Sequence, residues 1–458
     1  MHTSKTLDLT TGSVTKKLIR FAIPIMLGNL LQQMYTAADR VIVGRFAENG
    51  TAALGAVGAT TSAINLIIGL FIGLATGVNV ICANLLGARN ETALRKGMHT
   101  SMLVSLICGV FLCLLGYFLT PVILSWMDTP QSVADQAVLY MQIYFMGVPG
   151  ALIYNFGAGI LRAHGDTKRP MYFLMVSGLV NVALNMLLVI VFHMGVSGVA
   201  IATMVSQYLS AGAVIWLLFT PRGQYRLSFR ELKLDKQQLS SIVRVGVPTG
   251  LGSVVFSISN VLLQSSTNSF NSEAIIAART AATDINSLIY QIQAAFYAGC
   301  VSFSGQCYGA GNHKRIGQVA TRALLICTLF MGVPIALCSV FAEEVVTLFN
   351  NDPAVLDAGV PLMLINTLGL IAYIPSEIFM GCSRGMRKAL TPTAINMFVI
   401  CVPRLIWIYT VFPRHRNITT LFICYPISWG LSSIAQFVYF YCVRKKFEKQ
   451  ASPATQNQ

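Results

Sequence analysis

Six ionisable side chains lie deep inside long apolar stretches of this sequence: the acids Asp39, Asp284 and Glu377, and the bases Arg40, Arg279 and Arg404. A charge in such a place is expensive and marks a functional position by default. Asp39 has the most polar company. Asn181 and Asn185 are four residues apart and so share one helix face, while Tyr140, Asn155 and Thr203 add amide and hydroxyl groups on neighbouring stretches. A carboxylate among such oxygens can hold a small cation or, once desolvated, a proton. Cation handling is therefore expected at Asp39, Asn181, Asn185 and Thr203. Each Asn alone has a plainer role, an interhelical hydrogen bond worth roughly 0.6 to 2 kcal/mol; the set together points to a cation. Asp284 and Glu377 have two readings, as polar groups of a substrate cavity with Tyr140 and Asn155, or as structural partners of the three deep bases. Arg279 lies five residues before Asp284, which is poor geometry for a pair on one helix, so partners would come from other helices.

The elements that must position these groups follow from composition. The 458 residues are 55% hydrophobic and 11% charged, with a mean hydropathy of +0.65, whereas a soluble domain carries about 25% charged residues. Soluble enzymes and disordered tails are excluded. Twelve apolar runs lie at 18–43, 52–80, 98–122, 134–158, 170–192, 196–219, 240–267, 274–300, 318–342, 357–381, 391–412 and 419–443. Each is long enough for a helix across a ~30 Å hydrocarbon core, and without strand-like alternation a β-barrel is disfavoured.

The formal net charge of +15, from 32 Lys and Arg against 17 Asp and Glu, suggests nucleic acid at first sight, but bases scattered between apolar runs make no dense hydrated patch. They follow topology instead. With the N-terminus cytoplasmic, Arg45, Arg414 and Arg416 fall in outer loops and Arg40, Arg279 and Arg404 in spans. All other Lys and Arg, from Lys5 through Arg222 and Arg226 to Lys449, fall in inner segments, and Glu48 and Asp128 are among the outer acids. The expectation is a multi-pass monomer in the lipid bilayer of the cell inner (cytoplasmic) membrane, with both termini cytoplasmic and no nucleic-acid partner. The first apolar run is too long for a cleaved signal and should remain as an anchor. The 11 cysteines include no CxxC pair and read as small core residues. The six histidines sit in loops or at span ends, which disfavours an intramembrane HExxH enzyme.

Shifting the chain against itself by 222 to 224 residues aligns Arg20, Pro24 and Gly28 with Arg244, Pro248 and Gly252. The same shift aligns Gly87-Ala88-x-Asn90 with Gly309-Ala310-x-Asn312, and Gly159, Arg162 and Pro170 with Gly381, Arg384 and Pro392. The chain reads as two parallel six-helix lobes, 1–219 and 240–443, with a basic linker at 220–239 and a tail at 444–458. Parallel repeats of this kind are a transporter architecture. Pro24 and Pro248 each remove a backbone hydrogen bond early in equivalent spans, and Pro24 is the hinge candidate. Gly69, Gly73 and Gly77 form a small-residue face suited to close helix packing.

Several stretches carry a resemblance: Asp39-Arg-Val-Ile-Val-Gly44, Ala-Ala-Leu-Gly at 52–55, Gly165-Asp-Thr-Lys-Arg-Pro170, Gly195-Val-Ser-Gly-Val-Ala-Ile-Ala-Thr203 and Gly305-Gln-Cys-Tyr-Gly-Ala310. With twelve spans and the duplication, the chain resembles the MATE (multidrug and toxic compound extrusion) transporters over its full length. The resemblance implies an all-α, V-shaped fold of two six-helix lobes, no enzymatic activity and no cofactor. It implies export of small-molecule organic cations and drugs in exchange for Na+ or H+. By position, Asp39 matches the family's first-helix acid, Asn181 and Thr203 match members of its cation site, so that Na+ would sit at Asp39, Asn181 and Thr203, and Pro24 matches its bending proline. The chain departs where it has Asn185 instead of a second acid, lacks an acid between Val247 and Asn268, and places Glu377 about one turn from the usual tenth-span acid. The alternative within the same superfamily is a flippase for lipids or lipid-linked oligosaccharides; the neutral balance of charges inside the spans argues against it.

Overall fold

In the computed structural model, the described residues are 7–47, 50–127, 131–220, 225 and 227–451. Lys5, Glu48, Asp128, Arg222 and Arg226, whose charges entered the topology argument, lie outside them. Every apolar run is helical over nearly all of its length, and no strand occurs among the described residues. The order is α1 (Val14–Phe46), α2 (Gly50–Gly87), α3 (Glu91–Trp126), α4 (Gln131–Ala163), α5 (Lys168–Asn185), α6 (Gly195–Phe219), α7 (Lys236–Asn268), α8 (Glu273–Gly309), α9 (His313–Val340), the short α10 (Ala342–Thr347), α11 (Pro353–Gly385), α12 (Leu390–Asn396), α13 (Val402–Thr410) and α14 (Ile418–Ala451). The fifth span is α5 continued by a π-helical turn, Met186–Val191, and the eleventh is α12, a π turn at Met397–Cys401, and α13.

Ten of the spans are both long and apolar enough to cross a membrane. The two others, α1 and α8, have 33 and 37 residues, ample length at ~1.5 Å per residue. They are more polar because they carry Asp39 with Arg40, and Arg279 with Asp284.

The repeat is visible in how helices start. Asn90 caps α3 by accepting from Ala93 N at 3.0 Å, and Asn312 caps α9 by accepting from Arg315 N at 3.1 Å. The residue before each cap is left-handed, Arg89 at φ 53° and Gly311 at φ 70°. An Asn cap contributes about 1 kcal/mol, so the duplicated Gly-Ala-x-Asn motif is a loop-to-helix junction.

Two compact units make up the chain. Leu7, Leu27–Leu86 and Asn90–Gly250 belong to the first; Asp8–Met26, Gly87–Arg89 and the chain from Leu251 onward belong to the second. The division is not strictly in chain order. It crosses α1 two residues after Pro24 and α7 two residues after Pro248.

In the first unit, α4 packs against α3 and α6 around Leu112, Met141, Phe145, Val148 and Val199. The small-residue face of α2 meets the beginning of α7: a Cβ on Gly73 would lie 2.2 Å from Gly250 N, and one on Gly77 2.6 Å from Ile242 O. Much of the expected linker is docked on this unit. Thr100 Oγ1 accepts from Asp235 N at 3.0 Å, His99 Nε2 accepts from Ser228 N at 3.1 Å, and Arg95 pairs with Glu231 at 2.8 Å. In the second unit, α11 packs against α8 and α14, and Phe21 of α1 meets Phe303 edge-on at 5.6 Å. The stretch before α1 is tied down in the same way. Arg315 donates from Nε to Leu9 O (3.2 Å) and from Nη2 to Thr11 O (2.7 Å) and Gly12 O (2.9 Å).

Candidate functional site

In the first unit, α1 runs against α5. Tyr35 and Asp39, one turn apart, both face that helix. The Tyr35 hydroxyl donates to Met175 O at 3.3 Å, and its ring occupies space that only a glycine leaves, since a Cβ on Gly178 would lie 1.7 Å from Tyr35 Cε2. One turn further, Asn185 Nδ2 donates to Asp39 Oδ1, and the same amide donates to Asn181 Oδ1 at 3.3 Å. Asn181 and Asn185 are buried and Asp39 is half-buried. The structure thus brings together Asp39, Asn181 and Asn185, and adds Tyr35 and Gly178, which residue type alone did not single out.

Asn185 is the last residue of α5 before the π turn. A π turn inside a helix is a local change of hydrogen-bond register and recurs at functional sites. The side-chain oxygens Asn185 Oδ1 and Thr203 Oγ1 are buried without a hydrogen-bond partner in the protein, an unusual state for an interior acceptor. Of the two, Asn185 Oδ1 belongs to the side chain that also holds the Asp39 carboxylate. Tyr140 is buried, 6.2 Å from the Tyr144 ring, and within electrostatic reach of Asp39 and Arg40. Asn155 is turned elsewhere: its amide donates to Ala151 O of its own helix at 2.8 Å.

Asp284 and Glu377 belong to the second unit. Asp284 is on an exposed face of α8. Glu377 is buried and accepts from the Tyr373 hydroxyl at 2.8 Å. Tyr373 stacks on Tyr290 at 6.4 Å. Arg384, two turns from Glu377, donates to the Tyr297 hydroxyl and, at 3.0 Å, to Thr393 Oγ1. Near it, Asn396 Oδ1 accepts from Ser432 Oγ at 2.7 Å and Gln436 Nε2 at 3.0 Å. This polar cluster was not anticipated, because isolated Ser, Asn and Gln in apolar helices give no periodic signal. Among the described residues, no group of three or more His, Cys, Asp or Glu is arranged to hold a metal ion.

The Gly165-Asp-Thr-Lys-Arg-Pro motif is a structural turn. Gly165 is left-handed at φ 80°, and a Cβ there would lie 2.5 Å from Leu7 O. Asp166 Oδ1 accepts from Arg169 N at 3.3 Å at the start of α5, and its other oxygen lies 3.4 Å from Arg169 Nη1. Beside it, Tyr225 packs edge-on against His164, with centroids 4.9 Å apart. Burial pushes Asp166 above the ordinary carboxylate value, against the opposing pull of Arg169 and Tyr225. Burial also pushes His164 below the ordinary imidazole value.

Comparison with known proteins follows the same lines. The MatE family model matches residues 24–187 and 248–410, so the two matched stretches begin at the paired prolines. A probable multidrug resistance protein of Bacillus subtilis, YoeA, is 27% identical over 448 residues, 95% of each chain. A probable multidrug resistance protein NorM of Thermotoga maritima is 24% identical over 402 residues, 86% of this chain and 84% of its own. Among solved structures, a MOP-superfamily transporter from Pyrococcus furiosus superposes with a TM-score of 0.91 at 23% identity, over 98% of this chain and 100% of its own. The fold is the two-lobed helical one implied by the sequence.

Proposed function

Because this chain belongs to the MatE family, and is therefore a membrane transporter and not an enzyme, we propose that it is a secondary active multidrug efflux antiporter exporting organic cations in exchange for Na+ or H+. The observation that carries this reading is the hydrogen bond from Asn185 to Asp39 at the α1–α5 contact, made by a side chain whose own buried Oδ1 has no partner in the protein. The printed names of the relatives, multidrug resistance proteins of 84–95% coverage, support the substrate class.

Asp39 is the exchange site. With its carboxylate bare, it holds the Asn185 amide and draws a positive charge. When the coupling cation arrives, it competes with that amide for the carboxylate, and the α1–α5 contact loosens where α5 passes into the π turn. A ligand shifts a conformational equilibrium only by its differential affinity for the two states. A contact that exists only with Asp39 bare gives the cation that difference. Pro24 marks where α1 passes from one unit to the other and is the hinge. Exchange of one monovalent cation for one monovalent drug moves no net charge, so the ion's concentration gradient drives export. The protein acts as a monomer in the cytoplasmic membrane with both termini inside.

The test is efflux of a fluorescent organic cation from proteoliposomes under imposed Na+ and H+ gradients. Acceleration by an inwardly directed gradient of either ion is expected. Efflux indifferent to both gradients would rule out antiport.

A further inference from the structure

Arg404 is the largest fully buried side chain of the second unit, at 1% exposure. Its Nε donates to Ser428 Oγ at 3.1 Å, and Ser428 in turn donates to Tyr425 O at 2.9 Å, so the guanidinium is held in one orientation. Its plane rests on aromatic rings: 4.2 Å from the Tyr425 centroid, 5.7 Å from Phe256 and 5.8 Å from Trp429. Nη1 and Nη2, the two ends of the fork, are buried and have no hydrogen-bond partner in the protein.

A second arginine meets the same tyrosine. Arg279 is 7% exposed, lies close enough to Tyr425 to interact with it electrostatically, has its guanidinium 6.0 Å from the Phe422 centroid, and keeps a buried Nε without a partner. None of the ion pairs recorded among the described residues involves Arg279 or Arg404. The three groups are at one depth. Arg279 is six residues from the start of α8, Arg404 six from the end of α13 and Tyr425 seven from the start of α14, each ~10 Å in from the helix end at ~1.5 Å per residue. The loops at that end are tied together, Arg416 Nη2 donating to Ser269 O at 2.8 Å.

Aromatic faces stabilise a guanidinium, but they do not satisfy its N–H donors, and an unmatched buried donor carries its full desolvation cost. The ligand that matches an oriented guanidinium fork is a planar or tetrahedral oxyanion bound through two parallel hydrogen bonds. We infer that Arg404 and Arg279, bracketing Tyr425, form a binding site for the carboxylate or phosphate of an amphiphilic organic solute, whose aromatic body packs on Tyr425, Trp429 and Phe256. Entry is through α13. Arg404 is its third residue, directly after Pro403 and the π turn Met397–Cys401, so the backbone that carries it is the least regular part of that span. The site belongs to the second unit, as Asp39 belongs to the first, and gives the protein an affinity for organic anions or zwitterions in addition to cations.

The experiment is scintillation-proximity binding of radiolabelled 2-naphthoate to the detergent-solubilised full-length protein, with the neutral isostere 2-naphthamide as competitor. In the wild type, unlabelled naphthoate should compete at least about tenfold better than the amide, the scale of a charge-assisted fork. Arg404→Gln should remove that preference, and Arg404→Lys, a charge without the fork, should retain only part of it. Arg279→Gln, at the less buried group, should weaken naphthoate binding by about threefold. It provides the reading if the Arg404 variants do not fold. Equal competition by acid and amide in the wild type, or unchanged selectivity in both Gln variants, would overturn the site. Displacement of naphthoate by phosphatidylglycerol but not by phosphatidylcholine would assign the oxyanion to a lipid phosphate and overturn the solute as its occupant. Binding of an organic cation, measured in parallel, reports on the efflux reading separately, since neither arginine contributes to Asp39.

Discussion

At the scale of single residues, the account depends on one amide. Asn185 Nδ2 serves both Asp39 and Asn181, and a hydrogen bond to a charged partner contributes about 1.5–3 kcal/mol. Asn185→Leu removes the whole amide, the Nδ2 donor that holds the carboxylate and the free Oδ1 together; because the donor binds the charged carboxylate directly, its loss is expected to outweigh that of one neutral oxygen. The expected result is tighter cation retention: half-saturation at about a tenth of the wild-type ion concentration, with slower turnover. Ion-titrated transport rates in proteoliposomes check both. Higher half-saturation with unchanged turnover would mean that the amide only packs. The Asp39–Asn181–Asn185 grouping was legible because a lone acid and a four-residue Asn spacing are conspicuous among apolar residues. Tyr35 and Gly178 were not, since their role lies in a shape complementarity across helices that neither residue type announces. Asn155 reads in the sequence as a polar group of a substrate cavity, but a helical Asn can satisfy itself on the carbonyl four residues back, and sequence does not say which choice it makes.

At the scale of elements, close approach and turn chemistry dominate. The α2–α7 contact tolerates no side chain at Gly73, where a Cβ would sit 2.2 Å from Gly250 N. Gly73→Val is expected to cost about 1–3 kcal/mol or more through overpacking, seen as a lowered thermal midpoint in detergent; an unchanged midpoint would place that face against lipid. The turn between α4 and α5 predicts a pH effect. The unfolded chain protonates His164 near pH 6.5, while the folded chain, with the ring buried, resists until lower pH. Acidification below pH 6.5 therefore favours unfolding by up to ~1.4 kcal/mol per pH unit until the folded value is reached. Asp166 has the opposite sign: its folded value is raised, so its protonation favours the folded state as pH falls toward 3.8. Between pH 7.5 and 5.5 the midpoint of the wild type should fall further than that of His164→Asn, whose amide can keep the bond to Ile160 O. Equal slopes would contradict it. The motif containing Gly165 was conspicuous in the sequence, but its role, a left-handed turn pressed against Leu7, came from the backbone.

At the scale of the whole molecule, twelve spans follow from twelve apolar runs, and the polar exceptions α1 and α8 are the ones that carry two deep charges each, against one in α11 (Glu377) and one in α13 (Arg404). The division into units was not legible. A repeat in sequence suggests a cut at the linker, whereas the first part of α1 belongs with the second unit and the first part of α7 with the first. Packing decides this, and the only sequence trace is the proline two residues before each crossing. Pro24→Ala restores the missing backbone hydrogen bond. It is expected to slow turnover by about tenfold with drug binding changed less than about twofold, measured by efflux rate and equilibrium binding on the same preparation; equal loss of both would argue for a packing role. The central claim is that Asp39 couples an ion gradient to export. The most direct measurement is gradient-driven efflux of a fluorescent organic cation from proteoliposomes containing Asp39→Asn. Stimulation by Na+ or H+ gradients should disappear while the protein remains folded and binds the dye; full gradient-driven efflux by that variant would remove Asp39 from the coupling step.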